Sequence, residues 1–479
     1  MTRLSSQPSV WVQRFDNEEQ QMMREAFVSR ATDILRSSHL YSQHGKEMLV
    51  GLEIELPIAQ SFEAAPQHIR DACVEALPGK ASVELGAHQL ELINPSPVDV
   101  RGQGFAPLLK DFEVQMECVH QVLSQYQATA IVRLGSFPLT KISEMKATCG
   151  KPEYQCYRTT PLWHLKNQRP DAKKTIDACE LIPCKSPYVV GLMNAVHVNV
   201  DALGFDDAID KLNRSLMLSP LVSALSANAQ FVECKNSGYA DVRFLAWEIS
   251  HDVRSHAEIE AGRLTRVGLP SCYYASMKDY FHRRLTYPFI VSGTEDEKKS
   301  SAIGPGCNWR DARLKFFPDK QKILVEFRPL SLQPSLEEDV AMTVFYLGRL
   351  FWSQTMNEAL LPMSYLQANK RLACRYGMET RLYVQDSGCV EFLPAREVLA
   401  VEIQRAKAGF TRAWGVSPES CEPYWALLNE RLARGSPSAI FAKKVDAFER
   451  EAGIGGYDEQ VRRQAIIAAI ESLELASTL

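Results

Sequence analysis

The sequence has no CxxC pair, although it contains 12 cysteines scattered from Cys73 to Cys421. Zinc sites and redox motifs use such close pairs, and disulfide frameworks are typical of small secreted chains rather than of a chain this long. The cysteines are therefore expected to be reduced and mostly buried. No flanking signature marks any of them as a nucleophile, although catalysis by one of them stays an open alternative.

An excess of positive charge is also missing. The 54 lysines and arginines face 58 aspartates and glutamates, which gives a formal net charge of −4. Without a basic stripe, the protein has no electrostatic field that would attract a phosphate backbone. Neither DNA nor RNA is expected as a partner.

Long apolar runs are absent as well. The opening "MTRLSSQPSVWVQRFDNEEQQ" has no signal-peptide core, which favours the cytoplasm. The longest uncharged stretch of interest, "SLMLSPLVSALSANAQFV" (residues 215–232), contains Pro220, Asn228 and Gln230. A buried helix explains it better than a membrane span, so no membrane is expected as a partner.

What remains is a chain of 479 residues with the composition of an ordinary soluble globular protein, 46% hydrophobic and 23% charged. Periodicity predicts helices over 17–38 and 106–126, a strand over 194–203 and a hairpin over 312–330. Beyond about Tyr376 the sequence pattern becomes mostly helical. We therefore predict an α+β protein with three regions: a helical lead (1–45), a core (46–375) and a mostly helical C-terminal accessory region (376–479).

The stretch "LVGLEIELP" (residues 49–57) carries Glu53 and Glu55 on alternate positions, with aliphatic residues between them. Side chains alternate between the two faces of a strand, so both glutamates share one face. Two like charges side by side destabilise that face unless something positive lies against it. The pattern therefore raises the possibility of a bound cation.

Other strand-like segments carry similar groups. "SVELGAHQLELINPSP" places Glu84 and Glu91 around a short turn, "VEFRPL" places Glu326 and Arg328 on one face, and "VHVNV" does the same for His197 and Asn199. Carboxylates suit hard divalent cations, and a single histidine is compatible with Mn²⁺ or Mg²⁺. The five carboxylates and the imidazole are expected to lie on rigid strands and to bind such ions.

Each feature alone has an ordinary structural explanation. A Glu-x-Glu strand is usually a solvated edge, and a single histidine is more often a hydrogen-bonded core residue than a ligand. Glu326 and Arg328 could be surface partners worth a few tenths of a kcal/mol. The segment "WRDARLKFF" could be an amphipathic strand with solvated basic residues. Their combination and order favour a functional site.

That order resembles the glutamate–cysteine ligase type 2 family: G-x-E-x-E, two glutamates seven apart, H-V-x-V before an apolar helix, and E-x-R closing a basic hairpin. Its members are ATP-dependent carboxylate–amine ligases. The resemblance covers about Met48 to Asn369 and includes "PLVSALSANAQF" and "VEFRPLSLQPSLEEDVAM". It implies a glutamine-synthetase-like core, in which a curved antiparallel β-sheet forms a funnel backed by helices.

The resemblance also implies roles for particular residues. One metal ion, nearest the substrate, would be held by Glu55, Glu84 and Glu91, and a second, between the ATP phosphates, by Glu53, His197 and Glu326. Arg328 would steady the transferring phosphoryl group, with help from Arg313 and also Arg310. The implied cofactors are ATP and Mg²⁺ or Mn²⁺, and the implied partners are a glutamate-like carboxylic acid and an amine.

An arginine is the expected clamp for the α-carboxylate of an amino-acid substrate, because a guanidinium matches a carboxylate bidentately. Arg243, in "GYADVRFLAWE", is expected on a strand or strand edge and is the first candidate. Arg158, in the polar insertion at residues 150–187, is the second.

Some features leave alternatives open. The strand "GLEIELP" lacks the further acidic or aromatic residue that these ligases often show after the second glutamate, and the C-terminal region has no recognised counterpart. Another phosphotransfer enzyme of the same fold, such as a guanidino kinase or a glutamine synthetase, and a catalytically silent binding relative are the competing hypotheses. The identity of the acid and amine stays open, and a homo-oligomer is one alternative for the assembly.

Overall fold

A curled antiparallel sheet forms the centre of the protein, with the strand order β10-β11-β7-β1-β4-β3. The computed structural model describes residues 18–41, 49–149, 187–289, 301, 306, 308–386, 388–414, 416, 418–452 and 458–478. The strands of this path are β1 (Leu49–Gln60), β3 (Ala81–Val83), β4 (Gln89–Ile93), β7 (Ala195–Ala202), β10 (Ala312–Phe317) and β11 (Lys322–Ser331). The shorter strands are β2 (Glu63–Ala64), β5 (Val98–Asp99), β6 (Thr129–Val132), β8 (Phe231–Val232), β9 (Lys235–Asn236), β12 (Arg381–Asp386), β13 (Cys389–Pro394) and β14 (Ala476–Thr478).

Helices pack around this sheet. Those of the first half are α1 (Glu18–Arg36), α2 (Gln67–Ala76), α3 (Val100–Gln103), α4 (Ala106–Leu123), α5 (Phe205–Ser226), α6 (Arg243–Ser250), α7 (His256–Glu260) and α8 (Met277–Arg284). Those that follow are α9 (Leu336–Thr355), α10 (Met363–Tyr376), α11 (Ala395–Trp414), α12 (Pro418–Arg434), α13 (Pro437–Glu451) and α14 (Glu459–Ser472). Short 3-10 turns lie at Ser38–Tyr41, Pro187–Leu192 and Pro318–Lys320.

The alternation in β1 explains how the sheet separates its two faces. Leu52, Ile54 and Leu56 are fully buried in the main hydrophobic core, whereas Glu53 and Glu55 point to the other face and are only partly buried. Burial of each aliphatic side chain stabilises the fold by roughly 1.5–3 kcal/mol. The core therefore fixes which face of the sheet receives the glutamates.

Several predicted elements are confirmed. Helices occur at α1 and α4, and the predicted hairpin is formed by β10 and β11, whose residues Ala312 and Phe327 are register partners. The apolar stretch around residue 216 belongs to α5, which is largely buried. No helix in the described part of the chain is long and apolar enough to cross a membrane.

The described residues beyond 376 pack closely on the rest of the protein. Helix α11 lies along α9, with Leu399, Ile403 and Phe410 inside the main core. Strand β14 pairs with β6, so that Ala476 faces Val132. The accessory region proposed from the sequence is thus in extensive contact with the sheet and its helices, and its boundary as a domain stays a prediction.

Candidate active site

The polar face of the sheet brings together glutamates of β1 and β4 and a histidine of β7, which are three neighbouring strands. Glu53 of β1 is the register partner of His197 on β7, and Glu55 is the partner of Glu91 on β4. Glu84 lies one residue after the end of β3, in the turn that leads to β4. It was expected on a strand, and its place in this turn corrects that detail without moving it away from the other glutamates.

Hydrogen bonds hold these carboxylates in place. His197 Nδ1 lies 3.3 Å from Glu53 Oε2, and Asn199 Nδ2 donates to Glu53 Oε1 at 3.0 Å. The backbone N–H of Ala195 donates to Glu55 Oε2 at 2.7 Å. Ser82 donates to Glu91 Oε2 at 2.9 Å. The side chains are therefore preorganised by neighbouring strands.

Two groups of potential metal ligands result, and they share Glu91. One consists of Glu53, Glu91 and His197, and the other of Glu55, Glu84 and Glu91; within each group the ligand atoms lie within 4.8 Å of one another. Asn199 Oδ1 is buried next to Glu53 without a hydrogen-bond partner in the described part of the chain. Such a donor set of carboxylates, one imidazole and one amide oxygen fits Mg²⁺ or Mn²⁺.

The electrostatics of the two groups differ. Burial, followed by the nearby Glu84, raises the pKa of both Glu55 and Glu91, to about 8 for Glu91. Burial would also raise the pKa of Glu53, but the hydrogen bond from His197 and the charge of Lys315 outweigh it and lower that pKa to about 2. Burial lowers the pKa of His197. Below about pH 8, a proton therefore neutralises Glu91 when no cation is bound.

Divalent-cation binding is expected to release protons near neutral pH. At pH 7, below the pKa of about 8, Glu91 is mostly protonated in the cation-free protein, and a metal ligand must be deprotonated. The apparent affinity for Mg²⁺ should therefore rise by up to about tenfold per pH unit between pH 6 and 8. Calorimetric titrations in buffers of different ionisation enthalpy would measure the released protons, and a pH-independent affinity would contradict the assignment.

A cluster of basic side chains lies next to the two groups of potential metal ligands. Glu326 on β11 is fully buried and faces Arg313 on β10 as its register partner. Arg313 forms a bidentate pair with Glu326, Lys315 Nζ lies 2.6 Å from Glu326 Oε1, and Arg328 Nη1 lies 2.8 Å from Glu326 Oε2. Burial opposes ionisation of Glu326, but the three cations lower its pKa well below the usual range.

This arrangement departs from the ligand sets implied by the sequence resemblance. Glu55, Glu84 and Glu91 lie together as proposed, but the group containing Glu53 and His197 is completed by Glu91, while Glu326 is engaged by basic residues. Lys315 was missed. It lies two residues after Arg313 on the same strand face, and the spacing in "ARLKFF" carries that signal.

A cavity of about 230 Å³ lies against these groups. Its lining includes the site residues Glu53, Glu55, Glu84, Glu91, His197, Arg243, Arg310, Arg313 and Arg328. Arg310 is turned partly into the protein, because its Nη1 donates to the carbonyls of Val267 and Leu269 at 3.1 and 2.9 Å. The lining also includes the partly exposed rings of Trp247 and Trp309, whose centroids lie 4.3 Å apart.

Arg243 begins helix α6, whereas the sequence predicted a strand. Its guanidinium pairs with Asp241, Nη2 at 2.8 Å, and donates to the backbone carbonyls of Asn194, Pro329 and Leu330 at 3.3, 2.6 and 3.1 Å. The register between β7 and β11 shifts between Phe327 and Leu330, so Arg243 holds the bulge that carries Arg328. A clamp role would require these bonds to be exchanged. Arg158, the second candidate, lies outside the described residues.

Arg243→Ala is expected to lower turnover and stability together. The change leaves the buried carboxylate of Asp241 unpaired, which typically costs about 3–5 kcal/mol, and it frees the bulge that positions Arg328. Thermal unfolding and steady-state kinetics would measure both effects, with Arg243→Lys as a variant that retains one charge. An acid KM raised tenfold with unchanged kcat and stability would instead support the substrate clamp.

The comparisons with known proteins agree with this architecture. The profile of the glutamate-cysteine ligase family 2 (GCS2) matches residues 49–418. The fold is similar to a glutamate–cysteine ligase of Francisella tularensis in complex with AMP, with 12% identity, a TM-score of 0.52 and coverage of 90% of both chains. No curated protein matched in sequence.

Two further solved structures are more distant. A bifunctional glutathione synthetase from Pasteurella multocida has 14% identity and a TM-score of 0.47, covering 94% of this chain and 55% of that one. The ligase PafA, in complex with the prokaryotic ubiquitin-like protein Pup, has 10% identity and a TM-score of 0.42, covering 89% and 79%.

The curled sheet, with its acidic and basic side chains on one face, shares the fold of the Francisella tularensis glutamate–cysteine ligase structure. Because the profile match covers most of the chain, the protein belongs to glutamate-cysteine ligase family 2.

Proposed function

We propose that the protein is an ATP-dependent ligase that joins a carboxylic acid to an amine through an acyl phosphate, releasing ADP and phosphate. The bond formed would be a γ-glutamyl or related amide. The observation that supports this most is the juxtaposition in one cavity of two carboxylate ligand groups, which share Glu91, with Arg313 and Arg328. Such a site can hold polyphosphate and a carboxylate side by side.

The nucleotide has a candidate place beside this cavity. A second cavity, of about 260 Å³, lies between α1, α8 and β10 and is lined by apolar side chains such as Phe27 and Phe281. Arg313 lines both cavities, and Lys315 lines the second. We propose that the base and ribose occupy the second cavity, so that the phosphates extend past Arg313 towards the glutamates.

The proposed reaction has two steps. An oxygen of the substrate carboxylate attacks the γ-phosphorus of ATP, and ADP leaves. The amine nitrogen then attacks the acyl carbon and loses a proton, and inorganic phosphate leaves with its electron pair. A free carboxylate is a poor electrophile because an oxide would have to be expelled, and phosphorylation removes that obstacle.

The protein's part in this reaction is to position and to neutralise charge. The planar guanidinium groups of Arg313 and Arg328 would contact the oxygens of the transferring phosphoryl group, as such groups do bidentately. A bound Mg²⁺ or Mn²⁺ ion supplies further charge neutralisation on the phosphates when present. Glu53, Glu91 and His197 would hold one ion, and Glu55, Glu84 and Glu91 another. No nucleophilic side chain is required.

The test is a direct assay of ligation. The purified protein is incubated with ATP, Mg²⁺ and pooled acids and amines, glutamate among the acids, while ADP and phosphate release are followed and new amides are detected by mass. Release of ADP with phosphate that depends on both acid and amine is expected. A phosphorylated product in place of free phosphate would indicate a kinase of the same fold, and no turnover with any pool would favour a silent relative.

A further inference from the structure

We propose that the ammonium group of Lys315 is a built-in cation between Glu53 and Glu326, in the place where the sequence resemblance implies a divalent ion. The inference rests on the proposed function because it concerns the cation content of the same site. In this arrangement Glu326 pairs with lysine and arginine side chains and does not bind a metal ion. The site would then operate without a divalent ion between Glu53 and Glu326.

The position of Lys315 Nζ carries this inference. The nitrogen lies 2.5 Å from Glu53 Oε1 and 2.6 Å from Glu326 Oε1, and therefore bridges carboxylates of two different strands. Lys315 has only 23% of its side chain exposed, and Glu326 has none. A metal ion shared by Glu53 and Glu326 would have to occupy the same space.

The other contacts of Glu326 leave little coordination capacity. Its Oε1 also accepts a hydrogen bond from Arg313 Nη2 at 3.0 Å, while its Oε2 accepts bonds from Arg313 Nε and from Arg328 Nη1. Neither group of potential metal ligands found among the described residues contains Glu326. Both oxygens of this carboxylate thus serve protein cations.

The local charge balance points the same way. Glu53 and Glu326 together carry two negative charges, and Lys315, Arg313 and Arg328 carry three positive ones around them. A divalent ion placed between Glu53 and Glu326 would lie against these three cations in a buried, weakly screened setting. By contrast, Glu55, Glu84 and Glu91 bring three carboxylates together, with ligand atoms within 4.8 Å of one another, and such a group suits a divalent ion.

A lysine in this position has a functional consequence. Its ammonium group cannot dissociate, so the charge facing the phosphate end of the site is present at every metal concentration. Lys315 also lines the second cavity, next to Arg313, and can therefore contact both the acidic strands and a polyphosphate entering from that side. The covalently attached ammonium group of Lys315 would thus take the place of a metal ion that can dissociate.

Removal of Lys315 should create an additional metal site. Mn²⁺ stoichiometry is measured by the electron paramagnetic resonance signal of free Mn²⁺, without nucleotide or other substrate, for the unaltered protein and for Lys315→Met. The variant is expected to bind one more Mn²⁺ per chain. Lys315→Arg, which retains the positive charge, should bind the same number as the unaltered protein.

Lys322→Met is the matched control, because Lys322 lies on the same hairpin and pairs with Asp201 at 3.2 Å outside the metal groups. It should leave the Mn²⁺ number unchanged. The double variant Lys315→Met with Glu326→Gln should lose the additional ion again. Circular dichroism of each variant checks folding, and Lys315→Gln repeats the measurement if the methionine variant fails to fold.

Equal Mn²⁺ stoichiometry in the unaltered protein and in a folded Lys315→Met or Lys315→Gln variant would overturn the proposal. The measurement needs no turnover. An absence of ligase activity would therefore refute the proposed function without changing the metal count, and an unchanged metal count would refute the role of Lys315 without affecting the ligation assay.

Discussion

Glu91→Gln and Glu53→Gln are each expected to reduce ATP turnover to between about one-hundredth and one-thousandth of the unaltered protein's rate. Glu91 is the residue shared by both ligand groups, and Glu53 belongs to one of them. Loss of a single group that stabilises charge in a transition state commonly costs two to three orders of magnitude. Steady-state ADP release at saturating ATP and Mg²⁺ measures the effect.

The two variants should differ in stability, which separates their electrostatic roles. The pKa of Glu91 is raised to about 8, so this group favours folding below its unfolded-state pKa and loses that contribution as the pH rises through about 8; glutamine should therefore stabilise the metal-free protein at pH 9. The pKa of Glu53 is lowered to about 2, so its contribution is present at pH 7 and is lost on acidification. Glu53→Gln should therefore be less stable at pH 7.

Glu391→Gln, on the exposed strand β13, provides the control, since it makes the same chemical change away from the site. It should alter neither turnover nor pH-dependent stability. Near-normal turnover of both site variants would mean that Glu53 and Glu91 are merely structural, and the ligase proposal would then fail.

Arg328→Lys is expected to reduce turnover by about two to three orders of magnitude while nucleotide binding stays within a few-fold. Lysine keeps the positive charge beside Glu326, but it lacks the planar fork that contacts two phosphoryl oxygens at once. Arg328 should thus contribute mainly to stabilising the transition state of phosphoryl transfer. Single-turnover kinetics and nucleotide titrations would measure chemistry and binding separately.

The control for this change is Arg101→Lys, because Arg101 also forms a bidentate pair, with Asp99, but does not line either cavity. Its turnover should equal that of the unaltered protein. If Arg328→Lys weakened binding and turnover by the same factor, the guanidinium would serve to bind the nucleotide in the ground state rather than to stabilise phosphoryl transfer.

Much of the site could be predicted from local patterns. Strand alternation placed Glu53 and Glu55 on one face, and the short turn after Val83 brought Glu84 close to Glu91. The pairing of individual residues could not be obtained in this way. It depends on the register of strands more than a hundred residues apart in sequence, as for Glu53 and His197, and local patterns do not specify such a register.

The errors have physical causes. "DVRFLAWE" is rich in apolar residues and was interpreted as a strand, but Phe244 and Trp247, three residues apart, are both partly buried as on one side of a helix, and α6 starts at Arg243. Lys315 was not among the predicted site residues, because its partners Glu53 and Glu326 lie on other strands. The pairing of β14 with β6 joins segments more than 300 residues apart, which no periodicity reveals.

The alternation of polar and apolar side chains in β1 also affects how accurately this strand pairs with β7 during folding. A slip of one residue against β7 would turn Glu53 and Glu55 into the hydrophobic core and expose Leu52 and Ile54. Buried carboxylates without partners are far more costly than the repulsion they experience in the native arrangement. The two glutamates therefore disfavour a misaligned pairing of β1 with β7. Variants that replace both with glutamine should refold with a larger misaligned, aggregation-prone fraction.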